Sequence, residues 1–158
     1  MREARVCYNH LAGTMGTRMF DSMVGHGLLE QSGEALRLTD AGARAATDVT
    51  GFGLLGHLFK MCRASGVGAE IDAAAVPLVD GAREALRDGF VSGGTRRNLD
   101  WVAPHLDADG ASEDDLLYLA DAQTSGGLLV VGEVPGAPVV GETVAAGSLG
   151  DGVLVQVS

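Results

Sequence analysis

Glycine constrains this chain more than any other residue. It fills 24 of 158 positions, about twice the usual share. A chain so built is expected to make many tight turns, and loops in which backbone approaches something closely. One glycine-rich stretch also carries chemistry. In ATDVTGFGLLGH, residues 46–57, Asp48 stands between Thr47 and Thr50, directly before Gly51 and Gly53, and the stretch runs into an amphipathic pattern.

Apolar residues make up 46% of the chain, which excludes a disordered class. The length suits one domain with a modest core. Ten arginines and Lys60 face 21 acids, for a formal net charge of −10. That balance disfavours nucleic acid and anionic membrane as partners, because neutralising phosphates needs a basic face. Cys7 and Cys62 lie far apart and in no paired motif, so neither a disulfide framework nor a zinc spacing is present. The start, MREARVCYNH, has no apolar signal-peptide core, and no apolar run approaches the roughly 18 residues of a membrane span. A reducing, cytoplasmic setting is expected.

The spacing predicts a helix over 4–29, with Leu11, Met15, Met19 and Met23 at i+4 and Phe20, Val24 and Leu28 widening the stripe. Residues 28–39 read as a hairpin turning at Gln31-Ser32-Gly33, with Thr39 and Asp40 placed to cap a following helical turn. AGARAA, 41–46, is featureless and marks a boundary. Leu54, Leu55, Leu58, Met61 and Cys62 then share one helix face, which Gly66 ends. A strand is expected over 67–72. A helix follows over 78–88, with Val79, Ala82 and Leu86 inward and Gly89 at its end. Ser112 and Asp115 resemble a capping box before a helix at 116–120. Strands are expected at 128–134, 138–147 and 153–157, the last entered by a turn at Gly150-Asp151-Gly152. Helices on one side of a mixed sheet, an α+β architecture, fit this order.

Gly51, Gly53 and Gly56 satisfy G-x-G-x-x-G, and Asp72 lies about 20 residues on, where a dinucleotide site keeps its ribose acid. That reading also needs a strand before the glycines, and 43–48 offers no strand pattern. A phosphate-binding P-loop is excluded by the position of Lys60. Asp48 suits Mg²⁺ beside backbone N–H groups that face phosphate oxygens, with a helix N-terminus aimed at the same place. It equally suits a helix cap, as does Thr50.

TDVTGFGLLGH (47–57), SGGTRRN (92–98) and DAQTSGGLL (121–129) together resemble the selenide, water dikinase (selenophosphate synthetase) family, in its order and approximate spacing. The resemblance covers about residues 45–158. It implies the family's C-terminal domain, similar to that of aminoimidazole ribonucleotide synthetase: an α/β/α layered fold with a mixed sheet, truncated here. The family converts selenide, ATP and water to selenophosphate, AMP and phosphate with Mg²⁺. By resemblance, Asp48 is the metal-binding carboxylate. Thr47, Thr50, Gly51 and Gly53 line the same cleft. Thr95, Arg96, Arg97 and Asn98 supply donors suited to phosphate oxygens, or else open a salt-bridged helix. Gln123, Thr124, Ser125, Gly126 and Gly127 form a polar turn before a strand, either at the cofactor or as turn chemistry alone. His57 reads as structural.

The family's ATP-binding N-terminal half, with its reactive Cys or selenocysteine and partner Lys, has no match in this sequence. No residue here is therefore assigned a catalytic role, and Cys62 reads as a buried hydrophobe. After LLVV the family has a helix; GEVPGAPVVGETVA leaves almost no room for one. A sheet face is thus left as an exposed apolar patch or satisfied in another way. Residues 5–42 resemble the region after the winged helix of ArsR-type transcriptional regulators, without the recognition helix, and Cys7 and His10 are too few ligands for a metal site. The expected division is 1–44, regulator-like, and 45–158, synthetase-like.

Two functions follow. The chain contributes to a Mg²⁺–ATP site and needs an ATP-binding N-terminal half, in trans or through a homo-oligomer, being inactive alone. Alternatively it is a non-catalytic module for a small phosphate ligand or a protein, or the remnant of a regulator fusion. Related enzymes of purine, thiamine and hydrogenase-cofactor synthesis share the superfamily, and the second and third motifs favour the selenium branch.

Overall fold

The structure, a computed structural model, describes residues 21, 23–32, 35–39, 44–124 and 127–158. They form two compact units, one of the described residues up to Val49 with 127–137, the other of 50–124 and 138–158.

In the first unit a helix runs out at residues 23–25. Gly27 takes a left-handed φ of 68°, and the N–H of Leu28 reaches the carbonyl of Met23 at 2.8 Å. This Schellman closure ends the helix earlier than the expected residue 29. Leu11, Met15, Met19 and Phe20 lie outside the described residues. A hairpin forms, β1 (Leu29–Ser32) pairing antiparallel with β2 (Ala35–Leu38), but Gln31 and Ser32, expected in its turn, are strand residues paired with Leu36 and Ala35. Asp40 falls outside the description, and the Thr39 hydroxyl donates to the Gly27 carbonyl.

The featureless stretch is not featureless in the fold. Ala45 and Ala46 open β3 (Ala45–Val49), which pairs antiparallel with β6 (Gly127–Val131), and Arg44 N–H extends the ladder to Val131. The glycine motif therefore does follow a strand, contrary to expectation. Pairing with a segment distant in sequence overrides weak local propensity. Met23, Leu28 and Leu29 are buried against Leu128, Val130 and Val134.

The second unit holds α1 (Gly53–Ser65), β4 (Val67–Ile71), α2 (Ala82–Arg87), α3 (Gly93–Val102), β5 (Leu106–Asp107), α4 (Glu113–Leu119), β7 (Gly141–Ala145) and β8 (Val155–Val157). Its sheet runs β5-β8-β4-β7. β4 and β5 lie parallel to β8, and β7 lies antiparallel to β4, so the sheet is mixed. β3 pairs antiparallel with β6, while β4 belongs to this other sheet. The parallel β-α-β unit of a dinucleotide site is thus absent around the motif.

α1 packs on β4 and β8. Its buried face is Leu55, Leu58, Phe59 and Cys62; Leu54 and Met61 are only half-buried. Gly66, at φ 67°, closes it as expected. Burial pushes the Cys62 thiol up to about 11. α2 begins four residues late, because Gly81 enters it left-handed at φ 81°. Val79 is consequently 81% exposed rather than inward. The Ser112 cap on α4 forms: its Oγ accepts from Asp115 N–H at 3.2 Å and its hydroxyl donates to Oδ2 at 2.5 Å. That hydrogen bond, helped by Arg83 at 3.4 Å, holds the Asp115 carboxyl below the usual range. Residues 132–140 contain no helix.

Candidate functional site

The second unit joins three stretches of the candidate site by hydrogen bonds. Thr95, in the first turn of α3, is only 1% exposed. Its hydroxyl donates to Asp121 Oδ1 at 2.8 Å and accepts from Ala122 N–H at 3.1 Å. Ser92 caps the same turn, accepting from Thr95 N–H at 3.1 Å. Asp121 Oδ1 also accepts from Gln123 N–H at 3.2 Å, the Asx geometry that shapes a turn. Asn98, one turn further along α3, donates from Nδ2 to the carbonyls of Gly51 (2.9 Å) and Ala120 (3.0 Å). The Thr95 hydroxyl and the Asn98 amide nitrogen are thus committed to the scaffold that holds the loops.

Two glycines allow this close packing. Gly53 sits at φ +67°, and a Cβ there would come within 2.5–2.8 Å of the Ala120 backbone. At Gly94 a Cβ would meet that of Ala122 at 2.8 Å. The loop before α1 is closed locally as well. Gly53 N–H bonds the Thr50 carbonyl at 2.8 Å, and Thr50 N–H donates to His57 Nε2 at 3.1 Å. An N–H donating to Nε2 requires that nitrogen to be unprotonated, so the ring proton resides on Nδ1. The N-cap position of α1 is Phe52, without a side-chain cap. Neither Asp48 nor Thr50 fills that role.

The cationic residues face outward. Arg96 and Arg97 are exposed, whereas Arg83 forms an ion pair with Asp115. Arg97 folds back along α3: a Cβ on Gly93 would lie 3.4 Å from Nη1, and one on Gly94 would lie 3.9 Å from Nη2. Its guanidinium therefore accompanies the N-terminal end of the helix, and the two positive potentials reinforce each other. An aromatic group flanks the loop. Phe52 meets Trp101 at 5.6 Å and carries Lys60 Nζ at 5.1 Å from its ring centre. Phe59 stacks on His105 at 4.9 Å.

In the first unit, Thr47 and Asp48 are half-buried positions of β3. Asp48 stands opposite Leu128, and Gly127 opposite Val49. Thr47 donates to the Asp48 carbonyl at 3.1 Å. Ser125 and Gly126 lie outside the described residues. Gln123 is exposed and Thr124 half-buried, and Thr124 N–H bonds the Asp121 carbonyl at 3.1 Å. Among the described residues no three His, Cys, Asp or Glu side chains gather to hold a metal. A lone carboxylate such as Asp48 fits a hard cation as one oxygen ligand among six or more, with the others supplied from elsewhere.

Reading the sequence missed Asp121 and Ser92. Both had a local signal: an Asp two residues before an N–H it can accept, and a Ser three residues before the one it caps. No helix of the described residues is long and apolar enough to cross a membrane.

Comparison with known proteins agrees with these motifs. Over 121 residues the chain is 43% identical to a selenide, water dikinase of Porphyromonas gingivalis, covering 77% of this chain and 34% of that protein. Over 89 residues it is 52% identical to the Aeromonas hydrophila selenide, water dikinase, covering 56% and 25%. The chain thus spans a quarter to a third of the length of these relatives. Thiamine monophosphate kinase from Aquifex aeolicus superposes with a TM-score of 0.39 at 16% identity, covering 74% of this chain and 32% of that one. The family described as AIR synthase related protein, C-terminal domain, matches residues 24–150, and the chain belongs to it.

Proposed function

We propose that the chain is the C-terminal part of a selenide, water dikinase system and contributes to a Mg²⁺–ATP site. One observation carries the reading most. The glycine loop, the SGGTRRN helix start and the DAQT turn, far apart in sequence, are drawn together by Thr95, Asn98 and Asp121. Identity to selenide, water dikinases supports selenium rather than the other branches of the superfamily. In this reading Arg97, Arg96 and the N-terminal turn of α3 attract phosphate oxygens. Thr50, Gly51 and Gly53 shape the loop, and Asp48 supplies one oxygen to Mg²⁺. Mg²⁺ would offset phosphate charge when bound.

A phosphoryl transfer needs metal ligands and donors on several sides of the phosphate. One carboxylate does not supply them. Turnover therefore requires an ATP-binding N-terminal half, in trans or through a homo-oligomer, in a cytoplasmic, reducing setting where selenide persists. The commitment of Thr95 and Asn98 to internal bonds favours a second reading for the chain alone: a non-catalytic module for a small phosphate ligand or a protein.

The test is calorimetric titration of Mg²⁺–ATP into the purified chain, with Asp48→Ala and Arg97→Ala alongside. Weak binding that needs Mg²⁺ and is lost in both variants is expected, with no selenide-dependent AMP release. Binding unaffected by either change removes the proposed site. AMP release by the chain alone removes the need for a second half.

A further inference from the structure

The turn that opens α1 is tied by backbone groups to its surroundings. The Thr50 carbonyl accepts from Gly53 N–H at 2.8 Å, and the Gly51 carbonyl accepts from Asn98 Nδ2 at 2.9 Å. Thr50 N–H donates to His57 Nε2 at 3.1 Å. Of these ties, the last alone involves a side chain whose ordinary titration falls near neutral pH. His57 lies one turn into α1. Helical side chains lean toward the N-terminus, which brings the ring back over the turn. The Thr50 hydroxyl stands 3.2 Å from the same ring nitrogen. Nε2 offers a lone pair in this neutral tautomer and an N–H in imidazolium. A proton there ends acceptance from Thr50 N–H, and leaves the hydroxyl oxygen as the acceptor on Thr50. His105 differs. Its Nδ1 meets the Gly152 carbonyl at 2.8 Å, an acceptor that a ring N–H serves in both charge states.

We propose that His57 is the positioning residue of the glycine turn: its neutral ring latches Thr50, and a proton on Nε2 releases the latch. The N-cap position offers no substitute, since Phe52 supplies no side-chain cap. Phe52 shares in the arrangement, with its ring centre 5.7 Å from the imidazole and 5.1 Å from Lys60 Nζ. α1 itself carries Lys60 and Arg63, and it packs on α3, α4, β4 and β8. The charged groups of those elements are Arg96, Arg97 and Asp100 on α3, Glu113, Asp114 and Asp115 on α4, and Glu70 on β4, with Asp121 in the turn after α4. They set where the ring titrates. The direction is set by the hydrogen bond: the turn is held at higher pH and released at lower pH. The latch belongs to the free chain. Its bearing on ligand rests on the phosphate reading of this turn, under which binding weakens as the ring takes up its proton.

NMR of the full, nitrogen-15-labelled chain from about pH 5 to 8 tests it. The expected result is a scalar coupling across the hydrogen bond between the Thr50 amide nitrogen and His57 Nε2, lost with the same midpoint as the ring's own titration. Through that midpoint the protection of the Thr50 amide, relative to His57→Gln at the same pH, should fall about fivefold, the weight of one ordinary hydrogen bond. The Gln side-chain oxygen accepts but does not titrate, so His57→Gln should keep Thr50 protected across the range. His57→Ala should lose that protection at every pH. The wild-type coupling and its midpoint need neither variant to fold. A Thr50 amide indifferent to the ring's titration overturns the proposal, as does an absent coupling while the ring is neutral. Titration of Mg²⁺–ATP into the wild type and His57→Gln separates the two readings. Affinity that falls in acid more for the wild type supports both. A latch that switches while the two affinities stay matched supports the latch and overturns the phosphate reading of the turn.

Discussion

Under α1 the sheet presents Ala69, Ile71, Val155 and Val157, all buried. On its other face one row of residues crosses all four strands: Asp107, Gln156, Glu70 and Glu142. Gln156 Nε2 donates to Asp107 Oδ2 at 2.9 Å. Beside that row, Gly68 lies under Val144 and Leu149. Strand alternation puts the two sets on opposite faces. The first face needs a helix above it, whereas the second can face water. The absence of a helix over 132–140 therefore need not leave an apolar patch here. Stability should reside on the helix side, with the polar row close to neutral.

The largest effect is expected at Phe59, 2% exposed and in contact with Trp101 and His105. Phe59→Ala should cost about 3–5 kcal/mol in urea unfolding; a loss under about 1 kcal/mol would break the comparison. Gly53→Ala should cost at least about 2 kcal/mol, since left-handed strain adds to the clash with Ala120. Cys62 sharpens the picture in alkali. Its thiol stays protonated in the fold up to about pH 11, against 9.0 unperturbed. Its contribution is present in full below pH 9 and is lost as pH climbs through 11. The alkaline slope of stability should flatten in Cys62→Ala. Ser112→Ala should cost about 1 kcal/mol and let the Asp115 carboxyl rise, visible in its NMR titration. In the wild-type chain, the contribution of Asp115 is lost as pH falls through its lowered folded value. Smallest is Glu142→Gln, within about 0.5 kcal/mol of wild type; a large loss would mean that the polar face is packed after all.

The parts of this molecule legible in sequence are those whose cause is local. The α1 stripe, its Gly66 end and the Ser112 cap each depend on residues within a turn or two. β3 was invisible because Ala45 and Ala46 form a strand only against Val131 and Val130. Val79 was misplaced because the left-handed Gly81 delays the helix. The candidate site divides the same way. Its three motifs were readable as motifs. That Thr95 is buried scaffold, and that Asp121 holds it, depends on a partner 26 residues away.

Asn98 has a consequence for synthesis on the ribosome. The Thr50–His57 bond spans seven residues and can form as soon as α1 leaves the exit tunnel. The Asn98 bridge must wait until Ala120 has also emerged. A nascent chain paused before that point carries the complete glycine motif without its final shape. The loop matures late in translation, although its letters are read early.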